Sequence, residues 1–287
     1  PNVAPKKPVM SSAEALVRWQ HDGKLIPPGE FIPLFEKNGF VNKIDYYMFE
    51  EVCKLQKKYV VMGYEPKVIS VNMSRTHIHH PGFVDELAAM CEKYGVDTKY
   101  LEIEITESAA YENAAKLYEI FREIKSYGFH VSIDDFGTGY SSLNMLKDLP
   151  VNVLKIDLRF LADSKGVENG RADNILNSIV RMAKRLNLPV IAEGVETQKQ
   201  VDFLRMIGCE YAQGYFFSEP VPCEDYRELI KSDYVVEQQM RPYADSNGSV
   251  LTLSNQLHKL MEELREVAPD KIAAIEEKIK KDAAALW

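Results

Sequence analysis

Short β-branched runs alternate with longer helical patterns through most of the chain, and this alternation restricts the fold more than any other feature of the sequence. Strands are expected at Val68 to Met73, Tyr100 to Ile105, His130 to Ile133, Val153 to Ile156, Pro189 to Ala192 and briefly near Tyr211. Helices are expected around Asn42 to Met62, Gly82 to Tyr94, Asn113 to Tyr127, Ala172 to Leu186 and Gln198 to Ile207. Several of them run into a glycine (Gly63, Gly95, Gly128, Gly208), the residue that most readily ends a helix. A helix between successive strands makes those strands parallel. So many βα repeats in 287 residues favour a closed barrel over an open doubly wound sheet. The expected class is therefore α/β, a TIM-like (β/α)8 barrel.

The barrel pattern is expected to finish near Asp233. After it, Arg241 to Ser249 reads as loop, and Leu253, Leu257, Leu260, Met261 and Leu264 follow at helical spacing. Pro269 breaks that helix, and Asp270 can cap a second one carrying Ile272, Ile275 and Ile279. Residues 1–235 thus read as the barrel domain. Residues 236–287 read as a linker and C-terminal helical extension, folded back onto the barrel or leading to another domain.

A hydrophobic fraction of 46% with 27% charged residues is the balance of a globular chain. No apolar stretch reaches the length of a bilayer span, and Pro1 to Ser12 lacks the apolar centre of a signal peptide, so the segment is expected to be cytoplasmic with no membrane contact of its own. Cys53, Cys91, Cys209 and Cys223 are widely spaced and form no CxxC pair, so buried free thiols are expected. A net charge of −8 argues against a broad grip on duplex nucleic acid, which needs clustered Lys and Arg. An acidic protein that handles a phosphate ligand needs cations to cancel its own charge.

Asn72, Glu104, Asp134 with Asp135, Lys155 with Asp157, Glu193 and Gln213 each fall at or just beyond the C-terminal end of an expected strand. In a barrel those ends converge on one face, where barrel enzymes keep their active sites. Crowded carboxylates repel unless something positive sits among them. Carboxylate and amide oxygens suit hard divalent ions such as Mg²⁺ or Mn²⁺, whereas Zn²⁺ sites recruit His or Cys. Adjacent aspartates can each hold a separate ion, or one can bridge two ions about 3.5–4 Å apart. Taken singly, each residue also has a structural explanation: Glu104 as a salt bridge, Asn72 as a turn residue, and Asp134-Asp135 as turn chemistry before a glycine loop. Lys155 between Leu154 and Ile156 is harder to explain that way, since a buried Lys has a partner or a job. His77, His79 and His80 read as an exposed loop cluster.

Seven segments occur in one order: Glu14-Ala15-Leu16-Val17-Arg18-Trp19, Val71-Asn72-Met73-Ser74, Glu104-Ile105-Thr106-Glu107-Ser108, Asp134-Asp135-Phe136-Gly137-Thr138-Gly139-Tyr140-Ser141-Ser142, Leu154-Lys155-Ile156-Asp157, Ala192-Glu193-Gly194-Val195-Glu196-Thr197 and Gln213-Gly214-Tyr215. From its first residue to about Asp233 the chain resembles the EAL domain family of cyclic di-GMP phosphodiesterases. The resemblance implies a metal-dependent hydrolase that opens cyclic di-GMP to linear pGpG. It implies two Mg²⁺ or Mn²⁺ ions, with Ca²⁺ inhibitory, held by Glu14, Asn72, Glu104 and Asp134, with Asp135 toward the second ion. Lys155 and Glu193 would handle the hydrolytic water, Glu193 as general base, with Asp157 at the second metal or orienting the water. Arg18 would pair with a substrate phosphate, Leu16 would line the guanine side, and Gln213 would sit near Lys155.

Glu107 would anchor the loop that holds Gly137, Thr138 and Gly139, and Glu196 would buttress the site. The resemblance also implies a homodimer. Family members begin with an aromatic-x-Gln-Pro strand, and Pro1 stands where its proline would be, so the first strand is expected to be truncated. Upstream sensory or GGDEF-type domains are then expected, through which the full-length protein could be membrane-tethered. The competing readings are a receptor that binds cyclic di-GMP without cutting it, and a barrel acting on another phosphoester or only on protein partners.

Overall fold

The computed structural model of the protein describes residues 10–109, 114–137, 149–158 and 171–231. Its strands are β1 (Ser12–Ala15), β2 (Trp19–His21), β3 (Lys24–Ile26), β4 (Val68–Asn72), β5 (Leu101–Thr106), β6 (His130–Asp134), β7 (Val153–Asp157), β8 (Val190–Glu193) and β9 (Tyr211–Ala212). Its helices are α1 (Pro28–Asn38), α2 (Val41–Val61), α3 (Phe83–Tyr94), α4 (Ala114–Ser126), α5 (Arg171–Arg185), α6 (Gln198–Ile207) and α7 (Tyr226–Lys231), with 3-10 turns at Arg75–His79 and Thr98–Tyr100. The expected strands and helices among these residues are all present, with ends shifted by a residue or two.

Seven strands form one sheet in the order β1-β4-β5-β6-β7-β8-β9, every neighbouring pair parallel. The order never reverses. A doubly wound sheet starts in the middle and turns back, so a monotonic order belongs to a barrel. The two edges also meet: Gln213, just past β9, donates from Nε2 to Glu14 Oε2 on β1 at 2.6 Å. The protein is a TIM-like barrel. Beside that contact the seam between β1 and β9 opens into a cavity of ≈ 520 Å³ whose walls include Ser12, Leu16 and Tyr211. The strand expected at Pro1, the helices expected beyond residue 235, and Thr138 to Ser142 lie outside the described residues.

The period of two along each strand sorts the side chains. On β5, Leu101, Ile103 and Ile105 are buried against the helices, while Glu102 and Glu104 alternate with them. The same alternation sends Leu154 and Ile156 one way on β7 and Lys155 and Asp157 the other. Helix α6 begins in a capping box between Thr197 and Gln200 and ends at Gly208 in a left-handed conformation (φ 76°).

The hairpin β2–β3 was not expected. It turns at Asp22-Gly23, both at positive φ (47° and 73°), the Asp-Gly signal of a two-residue turn. Trp19 pins it to the barrel: its ring sits 5.8 Å edge-on from Phe31 and 6.3 Å from Phe35, and Phe35 lies 5.1 Å from Phe40. Among the described residues no helix is long and apolar enough to cross a membrane. Phe35 is fully buried at the centre of this aromatic group. Phe35→Ala is therefore expected to lower stability by about 3–5 kcal/mol in urea unfolding; a loss under about 1 kcal/mol would show that the group does not carry the packing.

Candidate active site

Lys155 is the centre of the mouth. It is 1% exposed, and its ammonium lies 2.6 Å from Glu104 Oε1, 2.8 Å from Glu193 Oε1 and 3.7 Å from Glu14 Oε2. Four strands supply this group: β1, β5, β7 and β8. Register sets Asn72 beside Glu104, Thr106 beside Asp134 and Asp157 beside Glu193. Asn72 Nδ2 donates to Glu14 Oε1 at 2.8 Å, so Glu14 is held by two amides, Asn72 from the neighbouring strand β4 and Gln213 from beyond β9 at the other edge of the sheet. Oxygens of Glu14, Glu104 and Glu193 can all lie within 4.8 Å of one another.

Among the described residues, one ammonium in contact with these acids does not neutralise them. Burial pushes the Glu104 carboxyl well above its usual range; Lys155 opposes this, and Glu14, Asp134 and Glu193 add to it. Asp134 is raised for the same first reason, again against Lys155. Glu193 is pushed up to about 7 by burial, with Asp134 and Glu14 contributing and Lys155 opposing. Burial alone would lower Lys155, yet Glu104, Glu14 and Glu193 overcome it and hold the ammonium charged well above its ordinary pKa. A divalent cation bound among these carboxylates would oppose the upward shifts and compete with protons for them.

The donor set fits such a cation. Glu104 Oε2 is buried without a hydrogen-bond partner, an acceptor beside the carboxylates of Glu14 and Glu193. Glu14, Asn72, Glu104 and Asp134 offer only oxygens, which suits Mg²⁺ or Mn²⁺.

The loop after β6 is tied down from β5. Glu107, 1% exposed, donates its backbone N–H to Asp134 O at 2.9 Å, and its Oε2 accepts from Gly137 N–H at 2.7 Å. Asp135 adopts a positive φ of 54°, and its N–H donates to Asp134 Oδ1 at 2.8 Å. Asp157 is 8% exposed at the end of β7. Gln213 is fixed by backbone bonds on both sides, donating to Ala192 O at 2.8 Å and accepting from Val195 N–H at 3.0 Å. The next residue must be glycine: a Cβ on Gly214 would stand 2.3 Å from the Val195 backbone.

Arg18 is half-buried, donates to Val17 O at 2.8 Å, and faces Tyr215 and Glu14 electrostatically. Leu16 lines the seam cavity with Gln213. Glu196 is exposed; its backbone N–H is taken by Gln200 at 2.9 Å, and no side-chain contact joins it to the acidic cluster among the described residues. Thr138 and Gly139 lie outside the described residues. The histidine cluster corrects the sequence reading. His79 and His80 are exposed, but His77 is 1% exposed and bonded to Asp45. Nothing in the sequence marked Asp45.

The pattern of the EAL domain matches residues 1–220. The chain belongs to the EAL family. This EAL domain is 38% identical over 223 residues to a bifunctional diguanylate cyclase/cyclic di-GMP phosphodiesterase, MucR of Pseudomonas aeruginosa, covering 77% of this chain and 32% of that protein. It is 37% identical over 220 residues to the cyclic di-GMP phosphodiesterase NbdA of the same organism, covering 76% of this chain and 28% of the relative. The EAL domain thus spans about a third of the length of such curated relatives. Among solved structures it resembles a complex of the MucR phosphodiesterase with c-di-GMP (TM-score 0.69, 38% identity, 74% of this chain and 86% of the other). It also resembles the EAL domain of Mycobacterium smegmatis DcpA (TM-score 0.61, 30% identity, 66% and 84%).

A carboxyl raised in the folded state has a defined effect on stability. Glu193 rises from 4.5 to about 7, so between those values the folded protein binds more protons than the unfolded chain. Stability contributed by this group is present below about pH 4.5 and is lost as pH rises through about 7. Melting curves in EDTA are expected to show that loss, and saturating Mn²⁺ is expected to remove it. Parallel pH profiles with and without Mn²⁺ would contradict the assignment of the cluster as a cation site.

Proposed function

We propose that this EAL domain is a metal-dependent phosphodiesterase that hydrolyses cyclic di-GMP to linear pGpG. The observation that carries the proposal is the charge imbalance at the barrel mouth, where one buried ammonium sits among three carboxylates beside an orphan carboxylate oxygen. The names of the relatives, cyclic di-GMP phosphodiesterases in two cases, supply the substrate.

Glu14, Asn72, Glu104 and Asp134 would hold the ions, with Asp135 toward a second one, and Mg²⁺ or Mn²⁺ would serve where Ca²⁺ inhibits. When bound, a pair of such ions acidifies water and stabilises charge on the phosphodiester oxygens. Glu193, held at about 7 by burial, is suited to accept the proton of the attacking water at neutral pH. As the new O–P bond forms, one ring P–O bond breaks and the leaving 3′-oxygen takes up a proton. Lys155 sets a compact positive charge against the developing negative charge and keeps Glu193 and Glu104 in place. Asp157 would orient the water or assist at the second ion.

Arg18, with a planar fork suited to phosphate, would release Val17 O to grip the substrate. Leu16 would meet the guanine side and Gln213 would steady Glu14. Glu107 would anchor the loop carrying Gly137, Thr138 and Gly139, and Glu196 would buttress the site. A homodimer, upstream sensory or GGDEF-type domains and a cytoplasmic setting complete the proposal; four free cysteines suit a reducing compartment.

Incubation with cyclic di-GMP and Mg²⁺ or Mn²⁺, followed by chromatography, is expected to yield pGpG. Glu193→Gln is expected to lower kcat by about 10²–10⁴-fold, the usual worth of a general base, while binding stays within a few-fold. Tight binding without metal-dependent cleavage by the folded wild type would instead make the chain a receptor.

A further inference from the structure

The turn that presents Asn72 is clamped from outside the cluster. Met73 N–H donates to Glu104 O at 2.8 Å, which fixes the peptide after Asn72 to β5. The following N–H, of Ser74, donates at 2.8 Å to Asp45 Oδ2 on α2. His77 Nε2 approaches the same oxygen at 3.0 Å, so the 3-10 turn Arg75–His79 is fastened back to Asp45. Three residues earlier on the same face of α2, Asn42 Oδ1 accepts from Thr76 Oγ1.

None of this is a surface ornament. Asp45 is 6% and His77 1% exposed, and the imidazole is stacked on Phe83 at 4.4 Å with Tyr46 edge-on at 5.0 Å. His77 Nδ1 has no hydrogen-bond partner, which leaves Nε2 as the nitrogen that engages Asp45. If packing were the only requirement, an apolar ring at position 77 would serve equally well. The imidazole supplies in addition a donor aimed at the one carboxylate that also holds the residue two past Asn72.

We infer that Asp45 and His77 are positioning residues for Asn72, setting the direction in which its amide oxygen meets a bound divalent ion. The inference rests on the metal-dependent reading above. Asn72 donates its Nδ2 to Glu14, which leaves its amide oxygen as the ligand atom. A carboxylate–imidazole pair that fixes the turn also fixes which way that oxygen faces. Partners outside the ligand set commonly tune metal affinity by about 10–100-fold.

The test uses the intact chain and two readouts. Calorimetric titration with Mn²⁺ alone, without nucleotide, gives the affinity. The side-chain ¹⁵N amide resonance of Asn72 in metal-free protein reports its bond to Glu14. His77→Phe keeps the stacking and removes the donor; it is expected to weaken Mn²⁺ binding by about 10-fold or more and to move the Asn72 resonance toward its solvent-exposed value. His77→Gln, whose amide N–H reaches about as far as Nε2, is expected to restore both to within a few-fold of wild type. If His77→Phe does not fold, Asp45→Asn against His77→Gln makes the same comparison. Unchanged Mn²⁺ affinity and an unmoved Asn72 resonance, whatever happens to the melting temperature, overturn the inference. Failure of the glutamine to rescue overturns it too. A wild type that binds no Mn²⁺ refutes the functional reading, and the Asn72 resonance then still decides whether His77 positions the amide.

Discussion

A single ammonium buried among carboxylates governs this molecule. Lys155 reaches the mouth of the barrel on β7 and touches Glu104, Glu193 and, more distantly, Glu14. An unpaired buried charge of either sign is costly, so the lysine and the acids require each other. They do not balance. Burial and mutual repulsion raise Glu104, Asp134 and Glu193 even with Lys155 pulling the other way. Carboxyls raised in this way favour their protonated forms, and a cation bound among them would compete with those protons.

Barrel geometry is what assembles the imbalance. Strand alternation faces Leu154 and Ile156 away from Lys155, and the parallel register sets Asn72 beside Glu104 and Asp157 beside Glu193. The curl of the sheet then brings Gln213, 199 residues downstream, onto Glu14. Gly214, whose backbone leaves no room for a Cβ against Val195, sits immediately after that amide. Fold and site are thus one construction: the contact that shows the sheet to be curled is also the contact that orients a candidate ligand.

Much of this was legible in the sequence, because it depended on local periodicity. Val68 to Met73 and Gln198 to Ile207 announce themselves by pattern, and Lys155 stood out as a charge in a strand that should have been apolar. The parts that were not legible rest on short or long-range effects. Ser12–Ala15 is a four-residue strand with no β-branched residue, so only its partner β4 makes it one. The Asp22-Gly23 turn carried a hairpin signal that the pattern around Trp19 was too short to support. His77 looked like loop surface, and only Asp45, 32 residues earlier on another element, makes it interior. Glu14 gives no sign of its own from periodicity; the ordered motifs alone pointed to it.

The carboxylates around Lys155 are proposed to form a site for divalent cations. Diffraction from crystals soaked in Mn²⁺, recorded at the manganese edge, tests it most directly. Anomalous density is expected between Glu14, Asn72, Glu104 and Asp134, with metal–oxygen distances of about 2.0–2.3 Å. Manganese bound only at surface acids, with Lys155 still the sole cation in contact with Glu104, would contradict it.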